Sequence, residues 1–344
     1  LRTIGSLMPH DDPLFRAFVD AQLLISAQTT SAEANALYGS AALDLPRRGV
    51  NHVQGGIGAL ADTLVNWIRQ NGGEVLFRQQ VTEIEMQNGR AAAVRTNKGL
   101  RVEADNILAN LTPWALRNVL GENAPAKMAK EVRQREATWG AFTLYLGVDA
   151  AKLPQTNAGH HQIIVDAERP LGEGNSVFVS MSDPEDASRA PAGHRALTLS
   201  THTAIAPWWQ LRHGDKAAYH ARRDEYTERL LTAAETALPG LRNAITLCLP
   251  GTPVTFEFYT RRPSGMVGGF AQKSILQARG PSTGIENVWL VGDSIFPGQS
   301  TAGVTLGGLR VANLVERMSR MERPFHLWQS SPFQPKNRTL INAD

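Results

Sequence analysis

The residues best suited to hold a ligand lie in one segment near the end of the chain. A short apolar strand is predicted over Val288–Val291. It ends in Gly292–Asp293, and a loop then leads through Gly303 to a helix predicted over Val304–Met318, with Thr305 in its first turn. Glycine lets a ligand approach the backbone closely, aspartate accepts hydrogen bonds from hydroxyl groups, and a helix N-terminus presents free N–H groups. The pattern indicates a ligand site at the carboxyl edge of a strand.

The same segment also fits a plain strand–turn–helix unit without a ligand. In that case Asp293 would cap the helix, and the small residues would serve a contact between helices. Gly307 and Gly308 inside the predicted helix cost roughly 1 kcal/mol each relative to alanine. Close packing against a flat ligand or another backbone is the simplest compensation for that cost.

A second glycine-rich stretch lies earlier in the chain, at Gln54–Leu60, and is followed by Gly72–Val75 and Val81–Ile84. Within it, Gly-x-Gly-x-x-Ala over residues 56–61, with Arg78 further along, also reads as a dinucleotide fingerprint that prefers a 2′-phosphate. The sequence therefore leaves an NADP-binding dehydrogenase open as an alternative.

These segments, together with Thr252–Glu257 and Tyr259–Pro263, occur in an order that resembles the phytoene desaturase and carotenoid oxidoreductase family of the FAD-dependent, amine oxidase-like superfamily. The opening of the chain is most similar to cyanobacterial-type carotenoid 3′,4′-desaturases. For Glu257 and Arg261, structural roles are the better expectation.

The resemblance implies a cofactor, FAD, and a set of contacts to it. Gly292 and Asp293 would hold the ribityl or pyrophosphate portion. Gly303, Val304 and Thr305 would face the pyrimidine end of the flavin ring, and the backbone of Val81 would bind the adenine. No residue is assigned as catalytic.

The family opens with a strand–GxGxxG–helix unit around the FAD pyrophosphate, and nothing before Leu1 supplies it. We expect that this portion was removed, that another chain provides it, or that flavin affinity is reduced. In the family, the strand–GxGxxG–helix unit contributes several charge-assisted hydrogen bonds to the pyrophosphate, worth roughly 1.5–3 kcal/mol each. Weak or absent FAD binding is therefore expected of the isolated chain.

Composition excludes several function classes. The chain has 344 residues, 42% of them apolar and 19% charged, with a net charge of +3, which is typical of a soluble enzyme and not of a nucleic-acid-binding protein. The single cysteine, Cys248, predicts a buried, inert thiol. The nine histidines show no metal-binding spacing. His202, on a predicted strand, is expected to be a structural residue and not a base.

The order of the elements predicts the fold class. Segments of βα type occupy both ends and strands dominate the middle, so we expect an α/β and α+β protein. It would combine a partial FAD-binding domain of the glutathione-reductase-like Rossmann type with an inserted antiparallel-sheet substrate domain that also carries helices. The expected ranges are 1–49 for substrate-domain helices, 50–120 for an FAD-domain segment, 121–270 for the substrate domain, 271–320 for the C-terminal FAD-domain segment and 321–344 for a tail.

Local patterns predict the individual elements. Helices are expected over residues 13–28, 31–38 (with Ser31 as N-cap), 59–70 and 219–238. Strands are expected over residues 50–53, 74–77, 81–86, 91–96, 102–108, 142–148, 162–165, 176–181, 196–203 and 254–259. Asn88–Gly89 predicts a hairpin turn. Trp208–Trp209 is expected in a loop, either as a membrane-facing or substrate-channel patch or as core packing.

The resemblance implies an FAD-dependent oxidoreductase of the carotenoid desaturase type, which removes a hydride from a lipophilic polyene to flavin N5. The alternatives are a flavin-dependent carotenoid isomerase or saturase, and a cofactor-free fragment without activity. No run reaches the ~18 apolar residues of a spanning helix, and a lipophilic substrate requires access to lipid. The expected location is therefore cytoplasmic, with peripheral membrane contact.

Overall fold

The structure is a computed structural model that describes residues 2–9, 12–49, 51–135, 139–154 and 159–322. The helices in these ranges are α1 (Pro13–Ala27), α2 (Ala36–Asp44), α3 (Gly56–Gln70), α4 (Pro113–Leu120), α5 (Ala126–Gln134), α6 (Ala206–Gly214), α7 (Lys216–Glu235), α8 (Leu241–Ala244), α9 (Pro253–Thr260) and α10 (Ser300–Glu322). The strands are β1 (Val81–Gln87), β2 (Arg90–Thr96), β3 (Arg101–Glu103), β4 (Ile107–Ala109), β5 (Gly140–Asp149), β6 (His160–Ile164), β7 (Ser176–Met181), β8 (His194–Thr203), β9 (Ile245–Gly251) and β10 (Val288–Leu290).

The strands form three sheets. β1, β2 and β3 make an antiparallel meander, and five strands make an antiparallel sheet in the order β6-β7-β8-β5-β9. β4 and β10 pair in parallel, with Ile107 opposite Val288. Parallel strands need a crossover connection, and here that connection contains the whole five-stranded sheet. The five-stranded sheet is therefore formed entirely by chain that lies between β4 and β10 in the sequence.

Three apolar cores show the same division. The first core lies between the five-stranded sheet and α6 and α7, where Phe142 stacks on Trp208 with ring centroids 5.6 Å apart. The second core joins residues from before and after the insert, including Leu116, Val288 and Val311. The third is a small cluster around α1 that includes Leu23. The predicted mixed fold class is confirmed.

Many local predictions are confirmed. α1, α7 and strands β5 to β8 lie where the periodicity placed them. The Asn88–Gly89 turn has the positive φ angles, 52° and 78°, that a tight hairpin between right-twisted strands requires. His160 and His161 alternate across β6, opposite Ser180 and Val179. Cys248, expected to be buried, is only half-buried, although its burial still raises the pKa of the thiol.

The strand predicted over 254–259 is wrong, since these residues belong to helix α9. Thr252 caps the helix through a reciprocal pair of hydrogen bonds: its Oγ1 accepts from the Thr255 amide at 3.4 Å, and Thr255 Oγ1 accepts from the Thr252 amide at 3.2 Å. Pro253 at the first helical position adds a pre-set φ angle. The cap and the proline outweigh the β-propensity of the aromatic and β-branched residues that follow.

The helix predicted over 31–38 is misplaced. Helix α2 begins at Ala36, and its N-cap is Asn35, whose Oδ1 accepts from the amides of Leu37 and Tyr38. Ser31 is held elsewhere, because its amide donates to Asp20 Oδ1 at 2.6 Å. The N-cap of this helix is therefore Asn35, four residues later than the predicted Ser31.

The strand predicted over 102–108 is two strands in two different sheets. β3 pairs antiparallel with β2, whereas β4 pairs in parallel with β10. Residues 51–53 and 74–77 form no strand, and Val50 lies outside the described residues, as does the tail from 323 onward. These short segments were predicted from β-rich composition alone, and pairing partners decide whether such segments become strands.

The tryptophan pair lies in helix α6 and not in a loop. Trp208 is fully buried and packs on Phe142 and Tyr226, while Trp209 donates from Nε1 to the Ser264 carbonyl at 3.0 Å. The membrane-facing or channel role is therefore wrong for Trp208, and its alternative, core packing, is confirmed.

Candidate functional site

The Gly292–Asp293 turn after β10 requires glycine. Gly292 has φ +97°, and a Cβ there would collide with Asn110 Oδ1. Gly269 packs so tightly on the carbonyl of Asp293 that a Cβ at that position would collide with it as well. Two backbone segments therefore meet here without side chains between them, which leaves a narrow, rigid loop at the carboxyl edge of β10.

The carboxylate of Asp293 is held by an arginine that had been assigned no role. Arg262 donates from Nη1 to Asp293 Oδ2 at 2.8 Å and from Nη2 to the Gly268 carbonyl at 2.5 Å. Both charged side chains are about three-quarters buried, with exposed fractions of 26% and 22%. The carboxylate therefore faces the protein and not bulk water, and Arg262 ties it to the loop that contains Gly268.

Helix α10 begins four residues earlier than predicted, at Ser300. Ser300 Oγ accepts from the Gly303 amide at 3.1 Å, and a Cβ on Gly303 would come within 2.5 Å of the Gly298 carbonyl oxygen. The amides of Thr301 and Ala302 find no acceptor within the described part of the chain. The free N–H groups of this helix end therefore belong to those two residues, one turn ahead of Val304 and Thr305.

A cavity of about 950 Å³ opens beside this loop. Its wall includes the C-terminal end of α1, the segment 270–274, the segment 294–296 and the residues Trp139 and Ile205. Polar and apolar side chains share the lining about equally, which suits a ligand that has both an apolar body and polar groups.

Two arginines on the wall of this cavity are held by their neighbours. The Arg135 guanidinium lies 3.9 Å from the centre of the Phe270 ring and donates to Glu131 at 3.0 Å. Burial lowers the pKa of Arg279, and Glu131, whose Oε1 lies 3.2 Å from Arg279 Nε, acts in the opposite direction. The wall therefore carries fixed positive charge next to its apolar surface.

The structure brings five of the six predicted cofactor residues together. Gly292, Asp293 and Gly303 form the loop and the helix start, and Val304 and Thr305 follow on α10. Val81 lies apart at the beginning of β1, opposite Thr96. None of the six residues is on the wall of the cavity, which the neighbouring residues Ser294, Ile295 and Phe296 reach. Contacts of these six residues with a cofactor stay a prediction.

Three polar residues near this loop were assigned no role from the sequence. Arg262 lies within the Tyr259–Pro263 segment, Gln28 ends helix α1, and Gln299 precedes α10. Gln28 Oε1 and Gln299 Nε2 are buried without a hydrogen-bond partner in the described residues. Orphaned polar atoms of this kind, beside free helix amides, fit a site that receives a polar ring edge.

His202 behaves as a structural residue. Burial lowers its pKa to about 4, so the imidazole is neutral near neutral pH. Its ring meets Trp139 edge-on, with the centroids 6.0 Å apart. The expectation of a structural histidine is consistent with this environment.

The alternative dinucleotide fingerprint at residues 56–61 is wrong. No strand precedes it within residues 51–53, and side chains of the same chain already occupy the turn. Asp186 Oδ2 accepts from the Gly55 amide at 2.8 Å, and Arg189 Nη1 donates to the Gly55 carbonyl at 3.2 Å. Hydrogen bonds to the Asp186 carboxylate, first from the Ser188 side chain and then from the Gly55 amide, lower its pKa to about 2. Gly55 and Gly56 therefore pack against the loop 183–189 and fix the start of helix α3 on it.

No family model matches the chain, but the curated proteins that it resembles include enzymes of carotenoids. The chain is 30% identical over 315 residues to a chloroplastic prolycopene isomerase of Daucus carota, covering 88% of this chain and 50% of that protein. It is 26% identical over 294 residues to a neurosporene-forming phytoene desaturase of Cereibacter sphaeroides, covering 80% of this chain and 55% of that protein. The chain thus spans about half the length of the curated relatives it matches.

A solved structure supports the fold. An oxidoreductase from Methanosarcina mazei superposes with a TM-score of 0.67 at 19% identity, covering 91% of this chain and 68% of that one. At this identity the likeness concerns the architecture alone.

Proposed function

Since this chain is a homologue of the carotenoid desaturase family, we propose that it forms the substrate-binding and ring-facing half of an FAD-dependent carotenoid oxidoreductase. The observation that carries the proposal is the Gly292–Asp293 loop. This loop leads into a helix end with free N–H groups and lies beside a cavity of about 950 Å³.

Each part of the loop suits one part of the cofactor. Gly292 would allow the cofactor to approach the backbone closely, and Asp293, which Arg262 orients, would accept hydrogen bonds from ribityl hydroxyls. The start of α10, including Gly303, Val304 and Thr305, would offer the positive end of its dipole to the pyrimidine end of the ring. Val81 would offer its backbone to the adenine. The chemistry supplied by the flavin, when it is bound, is acceptance of a hydride equivalent from the polyene.

The remaining task of the protein is to hold an apolar polyene and exclude water, and this requires no catalytic triad. The cavity wall supplies Trp139, Ile205 and Phe270 for such contacts. On β5 and β9, Tyr145 and Leu249 are opposite each other and both about half exposed, so the open face of the five-stranded sheet offers further apolar surface.

The reaction proposed is desaturation, and the 3′,4′-desaturase subtype stays a prediction. An isomerase is the second candidate. One observation favours it: prolycopene isomerases match at 29–30% identity over more than 310 residues, whereas the phytoene desaturases match at 25–26% over fewer than 300. A fragment without activity is the remaining alternative.

The test is an anaerobic product assay. The purified chain, saturated with FAD, is mixed with vesicles that contain a carotene, once with oxidised and once with reduced FAD. A desaturase yields a product that has lost hydrogen and needs oxidised FAD, whereas an isomerase yields a product of unchanged mass and needs reduced FAD. Absence of conversion in both arms, at FAD concentrations where bound flavin is detected, would refute the proposal.

The proposed location is cytoplasmic with peripheral membrane contact. No helix in the described part of the chain is both long and apolar enough to cross a bilayer. Extraction of a polyene from lipid requires contact with the membrane surface. Flotation with anionic vesicles is expected to carry part of the protein upward, and complete retention in the soluble fraction would contradict this.

A further inference from the structure

A second cavity, of about 730 Å³, opens at one end of the five-stranded sheet. Its wall combines residues of the segment 51–57 at the start of α3, one end each of β6, β7 and β8, and the loop 182–185. It shares no lining residue with the cavity beside the Gly292–Asp293 loop. The second cavity is therefore a separate site, for which the loop after β10 gives no account.

Two hydroxyl groups on the wall of the second cavity lack a partner. Ser180 on β7 and Thr198 on β8 are directly opposite each other in the sheet, and both line the cavity. Their neighbours Val179, Leu197 and Leu199 lie on the other face, in the first core. Neither hydroxyl has a hydrogen-bond partner in the described part of the chain. Each can therefore donate to a ligand in the cavity and accept from it.

The charges on this wall offset one another. Apart from two histidines, the ionisable residues that line the cavity are two carboxylates and two arginines, namely Asp183, Glu185, Arg189 and Arg195. Arg189 donates from Nη1 to the Gly55 carbonyl at 3.2 Å, and Arg195 donates from Nε to the Ser182 carbonyl at 2.8 Å. With equal numbers of each sign and both arginines engaged by backbone, the wall favours an uncharged polar group over an ion.

Apolar side chains complete the wall. They come from the segment before α3, from α3 itself and from the ends of β7 and β8, and they are Val53, Ile57, Met181, Pro184 and Ala196. Ile57 is 66% exposed, so its side chain has room to contact a ligand. The ligand that fits this wall has an apolar body and a neutral hydroxyl group.

Strand β8 connects the two cavities. Ala196 and Thr198 line the second cavity, and Ala204, directly after the strand, lines the first. Alternate residues between them lie on the open face of the sheet, opposite to the first core. The eight steps from Ala196 to Ala204 span about 26 Å at about 3.3 Å per residue, which is close to the length of an extended carotenoid. A polyene whose reacting bond lies in the first cavity can therefore place its far end in the second.

We propose that the second cavity is the subsite for the far end group of the polyene, and that this end group carries a hydroxyl that hydrogen-bonds to Ser180 and Thr198. The inference rests on the proposed function and deepens it, because it names the substrate class: a polyene with a hydroxylated end, in preference to a pure hydrocarbon. Ser180 and Thr198 determine specificity in this account and take no part in the removal of hydrogen.

The test measures binding and needs no flavin. The native chain is titrated in detergent micelles with β-carotene and with β-cryptoxanthin, two polyenes that differ by one hydroxyl on one end ring. Quenching of tryptophan fluorescence by the polyene reports binding. The hydroxylated polyene is expected to bind about fivefold more tightly, which is the effect of one net hydrogen bond.

Two substitutions remove the hydroxyls and keep the size of the side chains, Ser180→Ala and Thr198→Val. In the double variant the preference for β-cryptoxanthin should disappear, while the affinity for β-carotene stays unchanged. Ser200→Ala is the matched control, because Ser200 lies two residues further along the same face of β8 and does not line the second cavity. The control should keep the full preference, and circular dichroism monitors the fold of every variant.

The outcomes separate the subsite from the proposed function. Equal binding of the two polyenes by the native chain, or an undiminished preference in the double variant, would overturn the hydroxyl subsite while polyene binding stands. Absence of binding of both polyenes would overturn the proposed function on which the subsite rests. If the double variant does not fold, the native chain and Thr198→Val alone still decide.

Discussion

At the scale of single residues, the candidate site depends on positions where a side chain would not fit. At Gly292, Gly303, Gly268 and Gly269, an added Cβ would collide with neighbouring atoms. These close approaches hold the loop after β10 against the Gly268–Gly269 segment. Arg262 then connects the two by binding the Asp293 carboxylate and the Gly268 carbonyl.

Gly292→Ala should destabilise the chain by at least about 2 kcal/mol, because alanine is strained at positive φ and its methyl group would collide with Asn110. Thermal unfolding followed by circular dichroism measures the effect. Gly308→Ala is the control: Gly308 lies in helix α10 with open space where a Cβ would stand, so alanine should stabilise by about 0.5–1 kcal/mol. Equal effects of the two substitutions would contradict the packing described for Gly292.

His202 predicts a pH dependence of stability. Its folded-state pKa is lowered to about 4 by burial, below the ordinary value. The neutral imidazole therefore contributes stability that is present above about pH 6.5 and is lost as the pH falls toward the folded-state pKa. Between about pH 7.5 and about pH 4.5, the native chain should lose about 2 kcal/mol more than His202→Gln does. Denaturant unfolding measures the free energy of unfolding at both pH values. An equal loss of stability in the native chain and in His202→Gln would be incompatible with a buried neutral His202.

At the scale of elements, N-capping side chains determined where three helices begin, which helix propensity alone did not predict. Helix α9 exists because Thr252 and Thr255 cap each other's amides and Pro253 follows directly. Helix α2 likewise begins where Asn35 reaches two amides. Helix α10 begins at Ser300 for the same reason, since the Ser300 hydroxyl takes up the Gly303 amide. That start leaves Thr301 and Ala302 as the helix end available to a ligand.

Thr252→Ala should lower the free energy of unfolding by about 1–2 kcal/mol, because it removes the N-cap of α9 and also the contact between Thr252 Oγ1 and the Tyr219 hydroxyl at 2.8 Å. Thr260→Ala at the exposed end of the same helix removes only a bond to the Phe256 carbonyl and should change stability by less than about 0.5 kcal/mol. Denaturant titration measures both. A larger effect at Thr260 would argue against capping as the cause of α9.

At the scale of the whole molecule, the five-stranded sheet and its core are formed by chain that lies between the two strands of the β4–β10 pair, and we propose that this stretch is an inserted domain. The second core joins residues before and after the insert, and it includes residues of the parallel β4–β10 pair. The insert begins and ends at one place: the Val267 amide donates to the Trp139 carbonyl at 2.9 Å, and Gly140 pairs with Met266. The first core uses only residues between Phe142 and Ala244.

Residues 139–267 should therefore fold as an independent unit, because the segment contains a complete core and its ends meet. Expressed alone, it should unfold cooperatively. It should also keep the near-ultraviolet circular dichroism signal of Trp208 packed on Phe142 and Tyr226. The reciprocal deletion, which joins residue 139 to residue 267 through a short linker, is expected to retain the β4–β10 pair. A fragment 139–267 without a cooperative transition would contradict the inserted-domain architecture.

The sequence by itself determined the features that depend on local pattern. The periodicity of α1 and α7, the alternation of β5 to β8, the Asn88–Gly89 turn and the Gly292–Asp293 segment all follow from neighbouring residues, because hydrophobic period and turn chemistry act over short range. The same motifs sufficed for the family and the mixed fold class.

Only the tertiary structure decided which distant groups meet. Arg262 reaches Asp293 across 31 residues, β4 leaves its predicted strand to pair with β10, and Gln28 comes to lie beside Gln299. No local pattern encodes these meetings. They are set by the packing of separate cores, where burial makes each polar group find a partner or remain available for a ligand.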